Sequence, residues 1–360
     1  MKYDFNPLDL WPYVLIALVF LACYSTREKN SSSIIFTTLL IFSVFRYDVG
    51  WDYMSYVAES KDVFLDFGAS RFEPLGGVIL YVAGYLNFFP LIFLAFSTVT
   101  LYIYYKAINR YSSNRLMSWL VFYSMPLFFL ASLSTLRQSL ATAIVFYSYT
   151  FALQRKYLQF FSGIAVACMF HESAIAGLFL LPLVMFQFSR LACAGLLAVS
   201  FAVSSGIGDI ISSFSSEADL IIKLQSYIAL EQYKSTLIQY LYYAVGIINI
   251  LFYRKLVTIN DRNRGFITLV NFGLAAFNIL SFEPVSALRV SAFYLVFMTY
   301  LIPDYAAIFP RNTAKIVNGG LIGFFTILTF FYLEIYITAY QTGVQEKISF
   351  LPYRVWLNNF

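Results

Sequence analysis

The chain has 360 residues, 60% of them hydrophobic and only 12% charged, with mean hydropathy +0.71 and a formal net charge of +5. A soluble domain of that size carries about twice as many charges, which excludes soluble enzymes and leaves an all-α polytopic integral membrane protein, a single transmembrane domain over 1–360. The basic excess is a topological bias, and no nucleic acid is implied as a partner.

One histidine, His171, rules out a multi-histidine metal centre, and the three cysteines, Cys23, Cys168 and Cys193, fall in apolar runs without metal-like spacing. No metal and no cofactor is expected. Met1 to Asp9 is polar and mixed in charge, and the first apolar run lacks a basic flank and a small-residue cleavage site, so no cleavable signal peptide is read.

In chain order the apolar runs are Leu10–Ser25, Ser33–Phe45, Leu75–Phe88, Pro90–Ala107, Leu116–Ala131, Gln138–Leu153 and Tyr157–Phe170. After these come Ala174–Ser189, Leu191–Ile207, Thr236–Tyr253, Phe266–Phe282, Ala287–Ile302 and Ile316–Thr338. Several are shorter than the roughly 20 residues of a perpendicular span. Taking Leu75–Phe88 as a re-entrant or interfacial helix leaves about 12 crossings and puts every strongly basic connection on one face. That face holds Arg27, Lys29, Lys106, Arg110, Arg115, Arg155, Lys156, Arg190, Arg254, Lys255, Arg262, Arg264, Arg311 and Lys315 against Glu28, Asp261 and Asp304. The positive-inside rule assigns it to the cytoplasm. Both termini then lie outside.

The first long polar interruption, outer loop 46–74, carries Arg46, Asp48, Asp52 and Glu73 among Tyr47, Trp51, Tyr53, Tyr56 and Phe72. Carboxylates accept from sugar hydroxyls, aromatic faces stack on pyranose rings, and an arginine grips phosphate as a fork; an interfacial aromatic belt is the plainer alternative. Arg137 opens a run with Gln138 beside it and Ser139, Ala141, Thr142 and Ala143 behind, small residues that let helices approach closely. It suits a lipid-linked pyrophosphate, or it snorkels. His171 and Glu172 end a later run at similar depth, where an imidazole can take a proton from a sugar hydroxyl or simply pack.

A second outer loop, 208–235, has apolar residues at helical spacing and reads as an amphipathic outer helix near 217–234. Glu283 and Arg289 flank an outer turn, either as an ion pair or with Arg289 as a second phosphate ligand; Glu334 is an acid inside the last run. The ionisable residues that could do chemistry thus gather at one face.

The order RYDVGWDYMSY, FEPLGGVIL, LRQSLATAI, ACMFHESAI resembles the EpsG-like branch of the Wzy superfamily of polysaccharide polymerases. Its arginine, glycine and aspartate-tyrosine fall on Arg46, Gly50, Asp52 and Tyr53; its Glu-Pro pair on Glu73 and Pro74; its Arg-Gln pair on Arg137 and Gln138; its histidine and following small residue on His171 and Ser173. The glycine usual after Glu-Pro is Leu75 here, with Gly76 following. The resemblance covers about residues 40–190 closely.

It implies an O-antigen or exopolysaccharide polymerase of a bacterial inner membrane, its active site facing the periplasm or cell exterior. Such an enzyme transfers a growing glycan from undecaprenyl pyrophosphate to the nonreducing end of the next lipid-linked repeat unit, and it leaves room for a chain-length regulator as partner. On that reading His171, Asp52 and Glu73 are catalytic; Arg137, Arg289 and Arg46 bind pyrophosphate; and Asp48, Trp51, Tyr53, Gln138 and Glu172 bind sugar, with inversion at the anomeric carbon and no metal. The alternatives are a lipid-phosphate-sugar glycosyltransferase using Asp48 and Asp52 around a metal, an O-antigen ligase, and a flippase, which would need ionisable groups near the midplane that the sequence does not show.

Overall fold

The computed structural model describes residues 6–26, 28–69, 72–213, 236–341 and 350–359. They form a helical membrane protein. The helices relevant to the site are α1 (Trp11–Thr26), α2 (Ser31–Phe45), α3 (Tyr53–Leu65), α4 (Pro74–Tyr85), α5 (Pro90–Tyr111), α6 (Arg115–Ser124), α7 (Phe129–Ser134), α8 (Leu136–Leu153) and α9 (Tyr157–Cys168). A 3-10 segment, Glu172–Phe179, runs into α10 (Leu180–Met185), and α11 (Arg190–Ser213) follows. The second half is built on α12 (Thr236–Leu251), α13 (Tyr253–Ile259), α14 (Asn263–Ile279), α15 (Pro284–Leu295), α16 (Met298–Leu301) and the long α17 (Arg311–Gln341).

Four described helices are long and apolar enough to cross a membrane: Pro7–Thr26, Pro90–Tyr111, Val285–Asp304 and Arg311–Ile335. A fifth span arises if Gln239–Leu251 and Tyr253–Ile259, bent by 76° at their junction, count as one. The other apolar helices are shorter, so about 12 crossings stays an expectation from charge. The amphipathic helix near 217–234, and with it most of loop 208–235, lies outside the described residues.

Several connections that charge sorts together also touch one another in space. On the basic side, Ser113 donates to the Asp304 carboxylate, Asn263 Nδ2 donates to it at 2.8 Å, and Arg264 reaches the Gln187 carbonyl at 3.3 Å. On the other side, strand β1 (Arg46–Tyr47) pairs antiparallel with β2 (Arg354–Val355), Tyr13 donates to the Phe350 carbonyl at 2.8 Å, and the Leu75 amide donates to the Met169 carbonyl at 3.1 Å. The C-terminal segment is therefore a strap across the face that carries loop 46–74.

Both ends of α4 sit on that face. Its first turn bonds to Met169, and just past its last turn Phe88 packs edge-on against Trp356 of the strap, which also stacks on Phe45. Twelve residues rise only about 18 Å, short of the roughly 30 Å of a hydrocarbon core. Helix α4 instead lies against α3, and Gly84 permits the contact: a Cβ there would meet the Ser60 carbonyl oxygen at 2.3 Å.

Helix α8 runs through the middle of the bundle. Its small residues Ser139, Ala141, Thr142 and Ala143 are all buried, as close helix approach requires. Its inner half joins an aromatic cluster in which Phe146, Tyr149, Phe266, Phe297 and Tyr300 pack at centroid distances of 4.6 to 6.2 Å. Each such pair contributes about 0.5–1.5 kcal/mol beyond area burial. The rigid helix carries Arg137 and Gln138 at its outer end.

Candidate active site

The start of α8 separates two cavities. One, of about 310 Å³, is polar and lined by Asp52, Ser55, Tyr56, Phe72 and Arg137. The other, of about 320 Å³, is lined mainly by apolar groups of α7, α8 and α15, such as Leu130, Val285 and Leu288, with Trp51, Gln138 and Arg289 among its polar members and Phe350 of the strap on its wall. Arg137 thus serves the first cavity and its neighbour Gln138 the second.

Arg137 is held in place by three groups. Its Nη1 is ion-paired with Glu73 Oε2, its guanidinium lies over the Phe72 ring at 3.8 Å, and its backbone amide points at the Tyr56 hydroxyl at 3.5 Å. A Cβ at Gly76 would fall 3.2 Å from Arg137 Cδ, so the absent side chain makes room for the arginine stem across the first turn of α4. The second Glu73 oxygen accepts from the Glu172 backbone amide at 3.0 Å. Glu73 therefore ties α4, α8 and the turn after α9 together.

His171 sits in that turn, 8% exposed, with Nδ1 2.8 Å from Ser173 Oγ and 3.3 Å from the Ser173 amide. Burial, chiefly, pushes its pKa down from 6.5 to about 4; Glu73 pulls it up, and Arg137 and Arg289 pull it down. The ring is consequently neutral at physiological pH. Ser173 Oγ donates to Gln138 Oε1 at 2.8 Å, and Gln138 Nε2 donates to the Arg289 carbonyl at 3.1 Å. Glu73, Arg137, Gln138, His171 and Arg289, brought together from four segments, form one connected group.

Other expected site residues lie elsewhere. Arg46 is fully buried: it donates to the Ser43 carbonyl, to Ser97 Oγ at 3.2 Å, and to the Val49 and Leu133 carbonyls at 3.2 and 3.3 Å, and its guanidinium lies 5.0 Å from the Phe93 ring centroid. Burial lowers its pKa to about 10, which leaves it charged. Its donors hold the loop, where the sequence reading expected them to meet a pyrophosphate. Tyr53, 2% exposed, is stacked on Phe93 at 3.8 Å and has no face for a sugar. Gln138 has both ends of its amide engaged, which speaks for a structural connection over sugar binding.

Trp51 is exposed on the wall of the apolar cavity, its amide donating to Ser134 Oγ at 3.0 Å, and Asp52 faces the polar one. Asp48, at φ +51, and the exposed Glu172 line neither cavity. Glu283 does not pair with Arg289; its carboxylate caps α15, accepting from the Val285 amide at 3.1 Å and the Ser286 amide at 2.5 Å. That leaves Arg289 exposed at the apolar cavity. Glu334 lies on the exposed side of α17, far along the chain from this group. Among the described residues no three of His, Cys, Asp or Glu gather as a metal site would require.

Sequence reasoning passed over Ser173 as more than a small residue, Phe72 as the platform for Arg137, and Phe350. Ser173 had a signal in its two-residue spacing from the lone histidine. Phe350 had none, because it reaches the site only through strand pairing more than 300 residues away in sequence.

The sequence model of the EpsG family matches residues 29–355, which is most of the chain and extends well beyond the close motif resemblance. No curated protein and no solved structure matches.

Proposed function

The chain belongs to the EpsG family, and on that premise we propose that it is a polysaccharide polymerase of a bacterial inner membrane. It transfers a growing glycan from undecaprenyl pyrophosphate to the nonreducing end of the next lipid-linked repeat unit, at a site facing away from the cytoplasm. The observation that carries this reading is the convergence of Arg137 on a polar cavity, Arg289 on an apolar one, and a neutral His171 within electrostatic reach of both arginines.

The donor brings its own leaving group, so the protein has to stabilise negative charge and supply one base. Arg289, unpaired by Glu283, and Arg137, which the pyrophosphate would share with Glu73, are the cations. Phe72 beneath the Arg137 plane keeps the fork aimed. The apolar cavity beside Arg289 suits the first isoprene units of the carrier, and the polar cavity with Asp52 and Tyr56 suits the acceptor sugar. His171 takes the proton of the acceptor hydroxyl as its oxygen bonds to the anomeric carbon. The bond from that carbon to the pyrophosphate breaks on the opposite face, with inversion. Asp52 orients the acceptor, and Glu73 orients Arg137.

The test is glycan laddering on gels from cells whose own copy is deleted and replaced by wild type, Arg137→Ala or His171→Ala, with membrane abundance checked. The expected result is a single capped repeat unit in the deletion, a ladder with wild type, and none with either variant. Loss of even the single capped unit in the deletion would place the protein earlier in assembly, or make it the ligase, and would sink the reading.

A further inference from the structure

The hydrogen bonds around His171 determine which ring nitrogen carries its proton. Gln138 Nε2 lies 3.1 Å from the Arg289 carbonyl oxygen, a partner that only accepts, so the amide nitrogen must face it. The amide oxygen then faces Ser173, whose hydroxyl donates to it at 2.8 Å. A serine hydroxyl has one proton. Once that proton is given to Gln138, the oxygen can meet His171 Nδ1, 2.8 Å away, only as an acceptor. The proton of the neutral ring therefore sits on Nδ1, and the lone pair on Nε2.

The opposing contact is the Ser173 backbone amide, 3.3 Å from Nδ1, which favours the other tautomer. It is the longer of the two. Adopting it would also turn the serine proton away from Gln138 and set two lone-pair oxygens against each other at 2.8 Å, a cost that a buried polar pair does not recover.

We propose that Ser173 and Gln138 are positioning residues that hold His171 in the Nδ1–H tautomer, so that Nε2 receives the proton of the acceptor hydroxyl. This rests on His171 being the base in the transfer described above. When Nε2 is protonated the ring becomes a cation, and the Ser173 oxygen then accepts from a charged Nδ1–H, a stronger bond than before. The same chain ends on the backbone of Arg289. The base and the second phosphate ligand are thereby fixed to one another by Gln138, and neither can shift without disturbing the other.

The sole histidine makes the test direct. Protein labelled with nitrogen-15 only in histidine, in detergent at neutral pH, gives signals from one imidazole, and the couplings to the two carbon-bound ring protons identify the unprotonated nitrogen. In wild type it is Nε2. In Ser173→Ala only the backbone amide remains for Nδ1, and in Gln138→Leu the serine proton is released toward Nδ1; in both the lone pair moves to Nδ1. Ser173→Thr keeps the hydroxyl and keeps the wild-type pattern. A wild-type lone pair on Nδ1, or a pattern unchanged in both disrupting variants, overturns the proposal.

Polymer formation measured on the same preparations falls about 10²-fold in rate for Ser173→Ala, with little change in the apparent KM, and returns in Ser173→Thr. If the tautomer inverts but the rate holds, the catalytic half of the proposal falls along with His171 as base. The polymerase reading is judged separately by whether the wild type makes polymer at all.

Discussion

The charge environment of His171 can be tested without knowing the substrate. Burial, Arg137 and Arg289 act to lower its pKa and Glu73 acts to raise it, with a result near 4 against an ordinary 6.5. At 1.36 kcal/mol per pH unit that is a preference of about 3 kcal/mol for the neutral ring. Glu73→Gln removes the one raising influence, so the midpoint moves lower still. Arg137→Gln removes a lowering influence and leaves Glu73 unpaired, so the midpoint rises by about one unit or more. A proton-NMR titration of the one imidazole in each variant reads these shifts. A wild-type midpoint near 6.5, or variants that move in the same direction, would refute the reasoning. The sign for stability follows from the same values. Because the folded pKa lies below the unfolded one, the unfolded chain binds more protons between about 4 and 6.5, so stability rises with pH through that window and is lost on acidification through it. Above it the base is already neutral, and kcat/KM shows no histidine inflection across about pH 5–8.

Arg46→Gln strands the carbonyls of Ser43, Val49 and Leu133 in a buried site, costing on the order of 3 kcal/mol or more; it should lower membrane abundance and thermal stability in proportion to activity, whereas a stable, abundant but inactive variant would return Arg46 to the substrate. Gly50 has φ +106, and a Cβ there would lie 2.1 Å from the Leu133 carbonyl oxygen, so Gly50→Ala should cost about 3 kcal/mol and detach loop 46–52 from α7, seen as faster limited proteolysis; unchanged proteolysis would contradict the packing. Chelator-washed membranes should polymerise at the rate of untreated ones, and a loss reversed by magnesium would instead favour Asp48 and Asp52 as metal ligands in a lipid-phosphate-sugar transferase.

The membrane class was legible because it rests on composition, and the nearness of Glu73, Arg137, His171 and Arg289 because all four were placed at helix ends from the pattern of apolar runs and charges. Leu75–Phe88 is an instructive case. Only the basic bias of later connections argued that it does not cross; in the structure it is a short helix whose first turn touches Met169 and whose end is followed by Phe88 against Trp356. The pairing of Arg137 with Glu73 was within reach, since both were placed at the outer ends of helices. Its precision was not, because Phe72 and Gly76 act through space and carry no charge signal. The crossing number was not legible for a similar reason: short apolar runs such as Tyr157–Cys168 look alike whether they span, tilt or re-enter.

Arg46 and Arg137 show most clearly what a linear pattern omits. Both are outer arginines in motif positions beside aromatic residues, and sequence offers no ground to separate them. In the structure the difference is which acceptors claim their donors. Arg46 is claimed by three backbone carbonyls and a serine, fixed partners that no ligand can displace without unfolding the loop. Arg137 is claimed by one half-buried carboxylate, a partner that an incoming pyrophosphate can match in charge and geometry. Backbone carbonyls are supplied by every residue and appear in no motif, so the identity of the structural arginine is written in the path of the chain at Ser43, Val49 and Leu133. Arg137 has a side chain as its charged partner, and for that reason it is the arginine that a substitution at Glu73 can unlock.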